Sequence, residues 1–331
     1  MKTITFSIAA YNVQDYLRQC LDTFIVSDCL NDIEVIIVND GSKDRTALIA
    51  QEYCEKYPNT FKLINKENGG HGSTINKALE VATGKYFRPI DGDDWVKSEN
   101  LSSFIKILNS TNSDAVISNF DEIYVADNIT KVISYPFLPN EKEFCFSDIL
   151  WKETVPFHAI FYKTTILKDN DFKLSEGIFY EDTEYSLFPL QYIESLFYIP
   201  MSFYCYRLGR QGQSISLESV IKHITDLETV LSNVFNFYTK HSANIEKEAY
   251  YKLRIHNVLN FFFKFTLMPE WYTNKDYQKI KRNTFNKLEK LNPPLFHSYL
   301  ADSFLKKTQR LFNYHFDGIL IRAKKIIKGN K

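Results

Sequence analysis

Short apolar runs and helix-spaced apolar positions alternate along the first 120 residues. The run EVIIVND at 34–40 predicts a strand, and its continuous apolar stretch is typical of a parallel strand covered on both faces. Between such runs, apolar residues recur at i, i+3 and i+4, the spacing of one helix face. The pattern predicts strands at 3–9, 34–40, 61–65, 85–90 and 115–119, with helices at about 16–24, 46–57, 72–82 and 98–109. Repeats of this kind predict an open, mostly parallel α/β sheet.

The pattern changes further along the chain. The segment after residue 120 is less regular, and from residue 219 onward apolar positions keep helical spacing without strand-like runs. The run Asn292-Pro293-Pro294 interrupts this helical pattern. We therefore predict an α/β domain at 1–218, with halves at about 1–120 and 121–218, and an α-helical C-terminal domain at 219–331.

Composition and charge narrow the class of protein. Lys plus Arg and Asp plus Glu both number 40, so no overall field marks a nucleic-acid binder. The five cysteines show no CxxC spacing, which argues against a disulfide framework or a zinc site and fits a reducing compartment. Because no run approaches the roughly 18 uncharged apolar residues of a membrane span, we expect a cytoplasmic protein.

The C-terminal region carries two further patterns. From 306 to 331 the chain has many Lys and Arg residues among spaced isoleucines and leucines, and a single acid, Asp317. A basic amphipathic helix of this kind could lie on the inner face of an anionic membrane, or pack against its own domain. The aromatic-rich helical pattern at 250–272 favours a domain core or a homo-oligomer interface over a sugar-binding platform.

Polar clusters follow three of the predicted strands. They are Ala10-Tyr11-Asn12, Asn39-Asp40-Gly41-Ser42 and Asp91-Gly92-Asp93-Asp94. Ligands of open α/β sheets bind beyond the carboxyl ends of the strands. Three clusters at such ends predict a binding site along one edge of the sheet.

The acidic cluster needs an explanation, because three carboxylates within four positions repel one another. A tight turn carrying Asp91 and Asp93 would suit Mg²⁺ or Mn²⁺, which are hard cations with oxygen ligands. Gly92 would allow the backbone to approach closely and to adopt angles that other residues avoid. The alternative is a solvated turn in which Asp94 caps the next helix, and these four residues alone leave both interpretations open.

Three other segments give weaker signals. Asp40 in VNDGSKDRT could accept hydrogen bonds from a base, or the segment could be a turn that caps the following helix. The glycines of ENGGHGSTINKAL resemble an anion-binding loop without the Walker A or dinucleotide pattern, and His71 is interpreted as a surface histidine. In GIFYEDTEYSL, Glu181-Asp182 is either a general base or an ordinary helix N-terminus. His158 could line an acceptor site, but a packed core histidine is the simpler interpretation.

The order SIAAYN, VNDGSKDRT, NGGHGSTINKAL and DGDDW closely resembles the nucleotide-binding half of family 2 glycosyltransferases, which have the GT-A fold. The resemblance covers roughly residues 3–215. It implies a Rossmann-like α/β fold with a mostly parallel central sheet, and a nucleotide-sugar donor for which UDP is favoured. The residues that it assigns to donor binding are Ala10, Tyr11, Asn12, Asp40, Gly41, Asn68, Gly69, Gly70, Asn76, Asp91, Gly92 and Asp93.

The resemblance also implies individual roles. Tyr11 would stack on the base and Asp40 would read it. Asp91 and Asp93 would contact the ribose and the Mn²⁺ or Mg²⁺ that bridges the diphosphate. The pair Glu181-Asp182 matches the family's catalytic acids, of which Asp182 would be the general base of an inverting single displacement.

Two segments relate to the diphosphate. CYRLGRQGQSIS resembles the family's stretch that can close over it, and Arg207 and Arg210 are the cationic candidates, with a polar loop between domains as the alternative. The family often has Ser and Arg where this chain has Gly72 and Ile75. One of the two arginines could supply the contact that Ile75 cannot make.

Together these features predict a metal-dependent inverting glycosyltransferase that acts on a bacterial surface glycan, a lipid-linked saccharide or a glycoprotein. A nucleotidylyltransferase shares the α/β plan, but it would show a Gly-rich signature with a catalytic lysine near the first strand, which SIAAYNV lacks. The other alternative is a catalytically inactive protein that binds sugar nucleotides. The intact pair Glu181-Asp182 argues against that alternative.

Overall fold

The computed structural model describes residues 2–210, 212–266 and 274–301. The chain divides into two compact units, Met1–Gln213 and Ser214–Lys331. The predicted boundary at 218 would instead fall inside a helix at Leu217–Lys222. That helix begins after Ser216, whose hydroxyl accepts a hydrogen bond from the Ser219 amide, a typical N-cap.

The first unit contains one mixed ten-stranded sheet. Its strands are β1 (Ile4–Ala10), β2 (Ile33–Asp40), β3 (Phe61–Lys66), β4 (Tyr86–Asp91), β5 (Trp95–Val96), β6 (Ala115–Tyr124), β7 (Ile129–Ile133), β8 (Glu143–Cys145), β9 (Ile160–Lys163) and β10 (Ser195–Leu208). The order is β3-β2-β1-β4-β9-β6-β10-β5, with β7 paired to β6 and β8 to β10. The strands β3, β2, β1 and β4 are mutually parallel, whereas β9 is antiparallel to both of its neighbours.

Helices alternate with the parallel strands, which confirms the predicted α/β architecture. In the first unit they are α1 (Leu17–Asp22), α2 (Thr46–Lys56), α3 (His71–Val81), α4 (Ser98–Ser110), α5 (Thr164–Asp169) and α6 (Asp182–Leu187). In the second unit they are α7 (Leu217–Lys222), α8 (Ile224–His241), α9 (Ile245–Thr266), α10 (Lys275–Leu291) and α11 (Pro293–Ala301).

The long strand β10 was not predicted from the sequence. It contains Pro200, a residue that removes a ladder hydrogen bond and argues against a central strand. The structure accommodates the proline because the pairing of β10 with β6 shifts register between Ile199 and Ser202 and again before Tyr204. Such irregularities often lie near functional sites, and the residues that follow this one reach the acidic cluster.

The second unit has an aromatic core. Helix α8 contacts α9 and α10, and α10 contacts α11. The Phe285 ring lies 5.7 Å from that of Phe262 and 5.6 Å from that of Phe296. These contacts agree with the core interpretation of the aromatic pattern, although Trp271 and Tyr272 lie outside the described residues, as does the basic pattern at 306–331. Within the described ranges, no helix is both long and apolar enough to cross a membrane.

Glu34 is a buried carboxylate near the start of β2, at the end of the strand opposite the polar clusters. Its two oxygens accept hydrogen bonds from the Thr5 hydroxyl at 2.6 Å, the Thr83 amide at 2.9 Å and the Lys62 ammonium at 2.6 Å. Burial alone would raise the pKa of Glu34, but these donors outweigh it and hold the pKa below its ordinary value.

Glu34→Gln is therefore expected to lower the free energy of unfolding by about 1–3 kcal/mol at neutral pH, because an amide cannot accept all of these bonds. The contribution of Glu34 is complete above its unfolded pKa of about 4.3 and is lost as the pH falls through its lower folded pKa. The stabilities of variant and parent should thus converge in acid. Urea unfolding over this pH range measures the difference.

The matched control is Glu52→Gln. Glu52 forms an ion pair with Arg18 at 2.6 Å, but the side chains of both residues are half exposed. Exposed pairs contribute little to stability. A Glu34 variant that unfolds like the Glu52 variant at every pH would contradict the role assigned to Glu34.

Candidate active site

The clusters after β1, β2 and β4 lie side by side because these strands are parallel neighbours. Ala10 pairs with Asn39 across β1 and β2, and Ala9 pairs with Asp91 across β1 and β4. The strand register therefore brings all three clusters to one edge of the sheet, the edge at which open α/β sheets bind ligands.

Asn12 joins the first two clusters. It has a left-handed backbone with φ 52°, which Asn tolerates better than most residues. Its amide donates to the Ser42 hydroxyl at 3.0 Å, and its side-chain oxygen accepts from the Lys43 amide at 2.8 Å. Ala10 is buried beside this junction, and its carbonyl lies 3.5 Å from the same Ser42 hydroxyl. Asn12 thus fixes the loop that carries Tyr11 against the segment after β2, and Ala10 is buried beneath it.

An open cleft of about 620 Å³ lies against this loop. It is lined by Tyr11, Gly41, Lys43, Asn65, Lys66, Glu67 and Asn68. The Tyr11 side chain is 51% exposed, so its ring is available to a flat ligand. Sequence reasoning found Tyr11, Gly41 and Asn68 but missed the residues around the end of β3. That strand ends at the same edge of the sheet, so the rule applied to the other three strands would have found them.

Asp40 is buried, and its carboxylate holds the glycine loop. Oδ1 accepts from the Gly69 amide at 2.9 Å and from the Lys66 ammonium at 2.7 Å, and Oδ2 accepts from the Gly70 amide at 2.9 Å. A carboxylate offers about four acceptor sites, so these three bonds use most of its capacity. Asp40 therefore anchors the loop first, a role that the sequence did not suggest.

The glycines of this loop are required by close packing. Gly41 has φ 74°, and a Cβ there would lie 3.0 Å from the Asn68 amide nitrogen. Gly70 has φ 84°, a backbone conformation that residues other than glycine rarely adopt. The Asn68 side-chain amide donates to the Asp40 carbonyl at 3.0 Å, which completes the link between the two loops.

Asn76 points away from the cleft. Its side chain is buried, donates to the Leu174 carbonyl at 3.0 Å and to Glu176 at 2.9 Å, and accepts from the Leu174 amide at 2.9 Å. Both ends of the Asn76 amide are therefore committed to joining α3 to the segment after α5. The sequence had instead predicted that Asn76 contacts the nucleotide sugar. Ile75 is fully buried in the same helix.

The acidic turn contains carboxylates in three different environments. Asp91 Oδ1 lies 2.8 Å from Nε2 of His71, and Asp93 Oδ2 accepts from Nε of Arg210 at 2.5 Å. Asp94 is buried and accepts from the Tyr204 hydroxyl at 2.6 Å and the Arg207 amide at 2.7 Å. Resident cations therefore balance the first two acids.

Asp94 was considered as a helix cap, and that interpretation is wrong. Helix α4 begins after Lys97, and both Asp94 oxygens bind groups on β10. Burial raises the pKa of Asp94 well above its ordinary range, and the negative charges of Asp93 and Asp91 raise it further. Asp94 thus fixes β10 against the acidic turn.

Gly92 lies against β1, where a Cβ would come within 2.7 Å of the Ala9 carbonyl oxygen. Its amide donates to that same oxygen at 2.9 Å. The predicted close approach of the Gly92 backbone is present, and the group that it approaches is the backbone of β1. The unusual backbone angles that were expected are absent, because Gly92 is not among the glycines with positive φ.

Arg207 and Arg210 occupy different positions. Arg207 is buried, with Nε donating to the Asp93 carbonyl at 2.8 Å, Nη2 donating to Gln19 at 2.5 Å, and the guanidinium 4.7 Å from the Trp95 ring centroid. Arg207 thus binds the backbone of the acidic turn, whereas the sequence predicted that it would contact the diphosphate. Arg210 is less buried and pairs directly with Asp93, so of the two arginines it is the one that faces the predicted metal ligands.

The interpretation of His71 as a surface histidine misses its two carboxylate partners, because its side chain is only 30% exposed and lies between Asp91 and Glu181. Its Nδ1 lies 2.5 Å from Glu181 Oε1, and its Nε2 is near Asp91 but out of line for a hydrogen bond. Burial alone would lower the pKa of His71, but the charges of Asp91 and Glu181 outweigh it and raise the pKa. Glu181 is itself buried and bonded to His71, so the structure assigns it a contact within the site, and its catalytic role stays a prediction.

Asp182 begins α6 next to Glu181 and is half-buried. The charge of Asp182 acts on Tyr206, which lies on β10. Burial raises the pKa of Tyr206 above its ordinary value, and the negative charges of Asp94, Asp91, Asp182 and Asp93 raise it further. Asp182 and the acids of the turn are therefore close enough for their charges to act on the same tyrosine, although Asp182 comes 88 positions after Asp94 in the chain.

His158 lies on the other side of Tyr206, with the two rings stacked at 4.1 Å. The turn that carries it, Phe157–Ala159, is held by the fully buried Arg88, whose guanidinium donates to the Phe157 carbonyl and, at 3.0 Å, to the Ile160 carbonyl. A packed histidine was the preferred prediction, and its ring is packed. One ring nitrogen of His158 nevertheless lies within 4.8 Å of carboxylate oxygens of Asp91 and Asp94.

The donor set fits a hard divalent cation. Ligand atoms of Asp91, Asp94 and His158 lie within 4.8 Å of one another. Asp94 already accepts two hydrogen bonds, but the side chains of Asp91 and Asp93 are 28% and 14% exposed, and Asp93 Oδ1 has no hydrogen-bond partner in the described part of the chain. Carboxylate oxygens are the ligands that Mg²⁺ and Mn²⁺ prefer. The side chains whose ligand atoms lie this close are Asp91, Asp94 and His158, so of the predicted pair Asp91 belongs to the group and Asp93 does not.

The chain resembles known proteins both in sequence and in fold. Residues 5–169, about half of the chain, match the family model described as glycosyl transferase family 2. EpsH of Bacillus subtilis (strain 168), which is named as a glycosyltransferase, is 38% identical over 117 residues, which are 35% of this chain and 33% of EpsH. This chain thus matches about a third of the length of that relative.

Solved structures share the fold. TarS 1–349 of S. aureus, crystallised in complex with UDP-GlcNAc, superposes with a TM-score of 0.71 at 19% identity, covering 98% of this chain and 92% of TarS 1–349. The mannosyltransferase PcManGT of Pyrobaculum calidifontis, in complex with GDP-Man and Mn²⁺, has a TM-score of 0.52 at 13% identity and covers 94% of this chain and 87% of that one. The fold is that of the GT-A glycosyltransferases, and the chain belongs to glycosyltransferase family 2.

Proposed function

We propose that this chain transfers a sugar from a nucleotide-sugar donor to a hydroxyl group of a glycan, a lipid-linked saccharide or a glycoprotein. The observation that carries the proposal is that His71 contacts both Asp91 of the acidic turn and Glu181, the residue before Asp182. The strand register brings the Tyr11 cluster to the same edge of the sheet. Such an arrangement puts a base near the place where a leaving diphosphate would be held.

The proposed donor is a UDP-sugar. The exposed Tyr11 ring would stack on the base, since base–aromatic stacking needs only a free ring face. Asn65 and Asn68, with their paired donors and acceptors, line the same cleft and can bind a base edge. The complex of TarS with UDP-GlcNAc supports the choice of UDP.

In the proposed reaction the Asp182 carboxylate accepts the proton of the acceptor hydroxyl. The acceptor oxygen forms a bond to the anomeric carbon as the bond from that carbon to the β-phosphate oxygen breaks. The nucleoside diphosphate leaves with the bonding electron pair, and the anomeric configuration inverts. A single displacement of this kind needs one base, so Glu181 is free to bind His71.

Asp91 and Asp93 would hold the Mn²⁺ or Mg²⁺ ion, and a bound ion would stabilise the charge on the leaving diphosphate. The complex of PcManGT with Mn²⁺ supports this choice of metal. Arg210, bound to Asp93, lies where it could add a second positive charge near the diphosphate.

A thermal-shift measurement with UDP-GlcNAc, with and without MnCl₂, tests the proposal. Ligand at about 100 times its Kd stabilises the native state by about 2.7 kcal/mol. For a unit of this size we expect Tm to rise by about 5–10 °C with Mn²⁺, and by less without it.

Tyr11→Ala is the matched variant for this measurement. Losing one stacking contact costs about 1–3 kcal/mol of binding, so this variant should need about 5- to 150-fold more ligand for the same shift. If UDP-, GDP- and dTDP-sugars all leave the Tm of the parent unchanged with either metal, the donor assignment is wrong.

The two alternatives give different results in the same experiments. A nucleotidylyltransferase would release pyrophosphate from UTP and a sugar 1-phosphate. A catalytically inactive binding protein would show the thermal shift but release no UDP from UDP-sugars.

A further inference from the structure

His71 connects two parts of the site that come from distant regions of the chain. Its Nδ1 lies 2.5 Å from Glu181 Oε1, next to Asp182 in the sequence. Its Nε2 lies 2.8 Å from Oδ1 of Asp91, in the acidic turn. One imidazole ring thus spans the gap between the turn proposed to hold the donor and the start of the helix that carries the proposed base.

The backbone on both sides of His71 is fixed. The Gly177 amide donates to the Gly69 carbonyl at 2.7 Å, and Asn76 bonds to the Leu174 backbone in both directions. Between these two contacts, a Cβ at Gly72 would lie 2.2 Å from the Ser175 carbonyl oxygen. Helix α3 therefore packs directly on the segment that leads to Glu181, and no side chain larger than hydrogen fits at position 72.

The ring itself is held in one orientation. Its edge contacts the Phe157 ring, with the centroids 5.8 Å apart. Glu181 is 2% exposed, and among the described residues its carboxylate has a single hydrogen-bond partner, His71. If the ring turned away, the Glu181 carboxylate would be buried without a partner, so the contact is strongly favoured.

We propose that His71 is a positioning residue that sets the distance between Asp91 and the Glu181-Asp182 pair. The inference rests on the proposed function, because it assigns His71 to the same transfer reaction. A displacement of about 1 Å between a base and its substrate can cost about 100-fold in rate. A rigid bridge between the donor side and the base side prevents such a displacement.

Two amide variants separate the two contacts of the ring. In His71→Asn the side-chain nitrogen takes the place of Nδ1 and can still bind Glu181, but it cannot reach Asp91. In His71→Gln the nitrogen takes the place of Nε2, so it can reach Asp91 while the contact with Glu181 is lost. The control is His223→Asn, because His223 pairs with Asp226 in the second unit at 3.0 Å, outside the site.

The measured quantities are the kcat and donor KM of UDP release from UDP-GlcNAc with MnCl₂, with water as the acceptor. If both contacts position the base, each His71 variant should lower kcat by about 10- to 100-fold, the range for residues that orient a reactive group. Donor KM should change by less than about threefold, and the His223 variant should match the parent. A purely structural role would instead lower Tm while leaving kcat per folded molecule unchanged.

A second measurement tests the bridge without catalysis. If His71 and Glu181 depend on each other, the Tm losses of His71→Ala and Glu181→Ala should sum to clearly more than the loss of the double variant. Additive losses, or a kcat equal to that of the parent in both amide variants, would overturn the inference about His71. A parent that neither binds nor turns over nucleotide sugars would instead count against the proposed function, and the Tm comparison would still decide whether the bridge exists.

Discussion

Replacing Asp182 with Asn is expected to lower the rate of sugar transfer by about 10²- to 10⁴-fold, the contribution of a positioned general base. Asn has nearly the same shape but cannot accept the proton of the acceptor hydroxyl. The Mn²⁺-dependent thermal shift with UDP-GlcNAc should persist, because donor binding is assigned to Tyr11 and the acidic turn. UDP release with and without added acceptor measures the loss.

The matched control for this variant is Asp169→Asn. Asp169 is an exposed carboxylate at the end of α5, so its removal tests for a general effect of losing one acid. We expect it to behave like the parent. If Asp182→Asn retained more than about a tenth of the parent rate, the general base would have to be another group.

Asp93→Ala should abolish most of the metal dependence. Even residues that only orient metal ligands cost about 10- to 100-fold in affinity when removed, so the loss of a ligand should reach at least that range. The Mn²⁺ concentration needed for half of the UDP-induced thermal shift is the quantity to measure. It should rise by about 100-fold, and turnover at fixed Mn²⁺ should fall with it.

Two control variants separate the loss of a metal ligand from the loss of the ion pair between Asp93 and Arg210. Asp127→Ala removes an exposed acid from the turn between β6 and β7 and should change nothing. Arg210→Gln removes the partner of Asp93 but keeps the carboxylate, so Mn²⁺ dependence should remain. An Asp93 variant with the parent's Mn²⁺ dependence would show that Asp93 is not a ligand.

Most of the α/β unit could be predicted from the sequence, because its strands and helices alternate with clear hydrophobic periods. The predicted strand at 34–40 is observed as Ile33–Asp40, and the predicted helix at 72–82 as His71–Val81. The strand β10 was not predicted because Pro200 and two register shifts interrupt the alternation of side chains along it. Local pattern rules cannot anticipate pairing that depends on a distant strand.

The sequence pointed to residues for the site, and the structure shows what some of those side chains bind. Residue types and motif order pointed to Tyr11, Asp91, Asp93 and Asp182. For Asn76 and Arg207 the sequence suggested contacts with a donor, and the structure shows committed, buried side chains. A polar side chain in a motif can serve a ligand or the fold, and only its hydrogen-bond partners distinguish the two.

The sequence alone determined the fold class, the edge of the sheet that gathers the polar clusters, and the acidic turn, because each follows from local periodicity and from strand ends. Only the tertiary structure decided what balances those acids. His71 and Arg210 lie within 3 Å of Asp91 and Asp93, respectively, at 2.8 and 2.5 Å. Arg210 and Glu181, the second partner of His71, lie some 90 to 120 positions further along the chain from the acids. Side-chain charges act over distances in space, and the sequence order contains no direct measure of those distances.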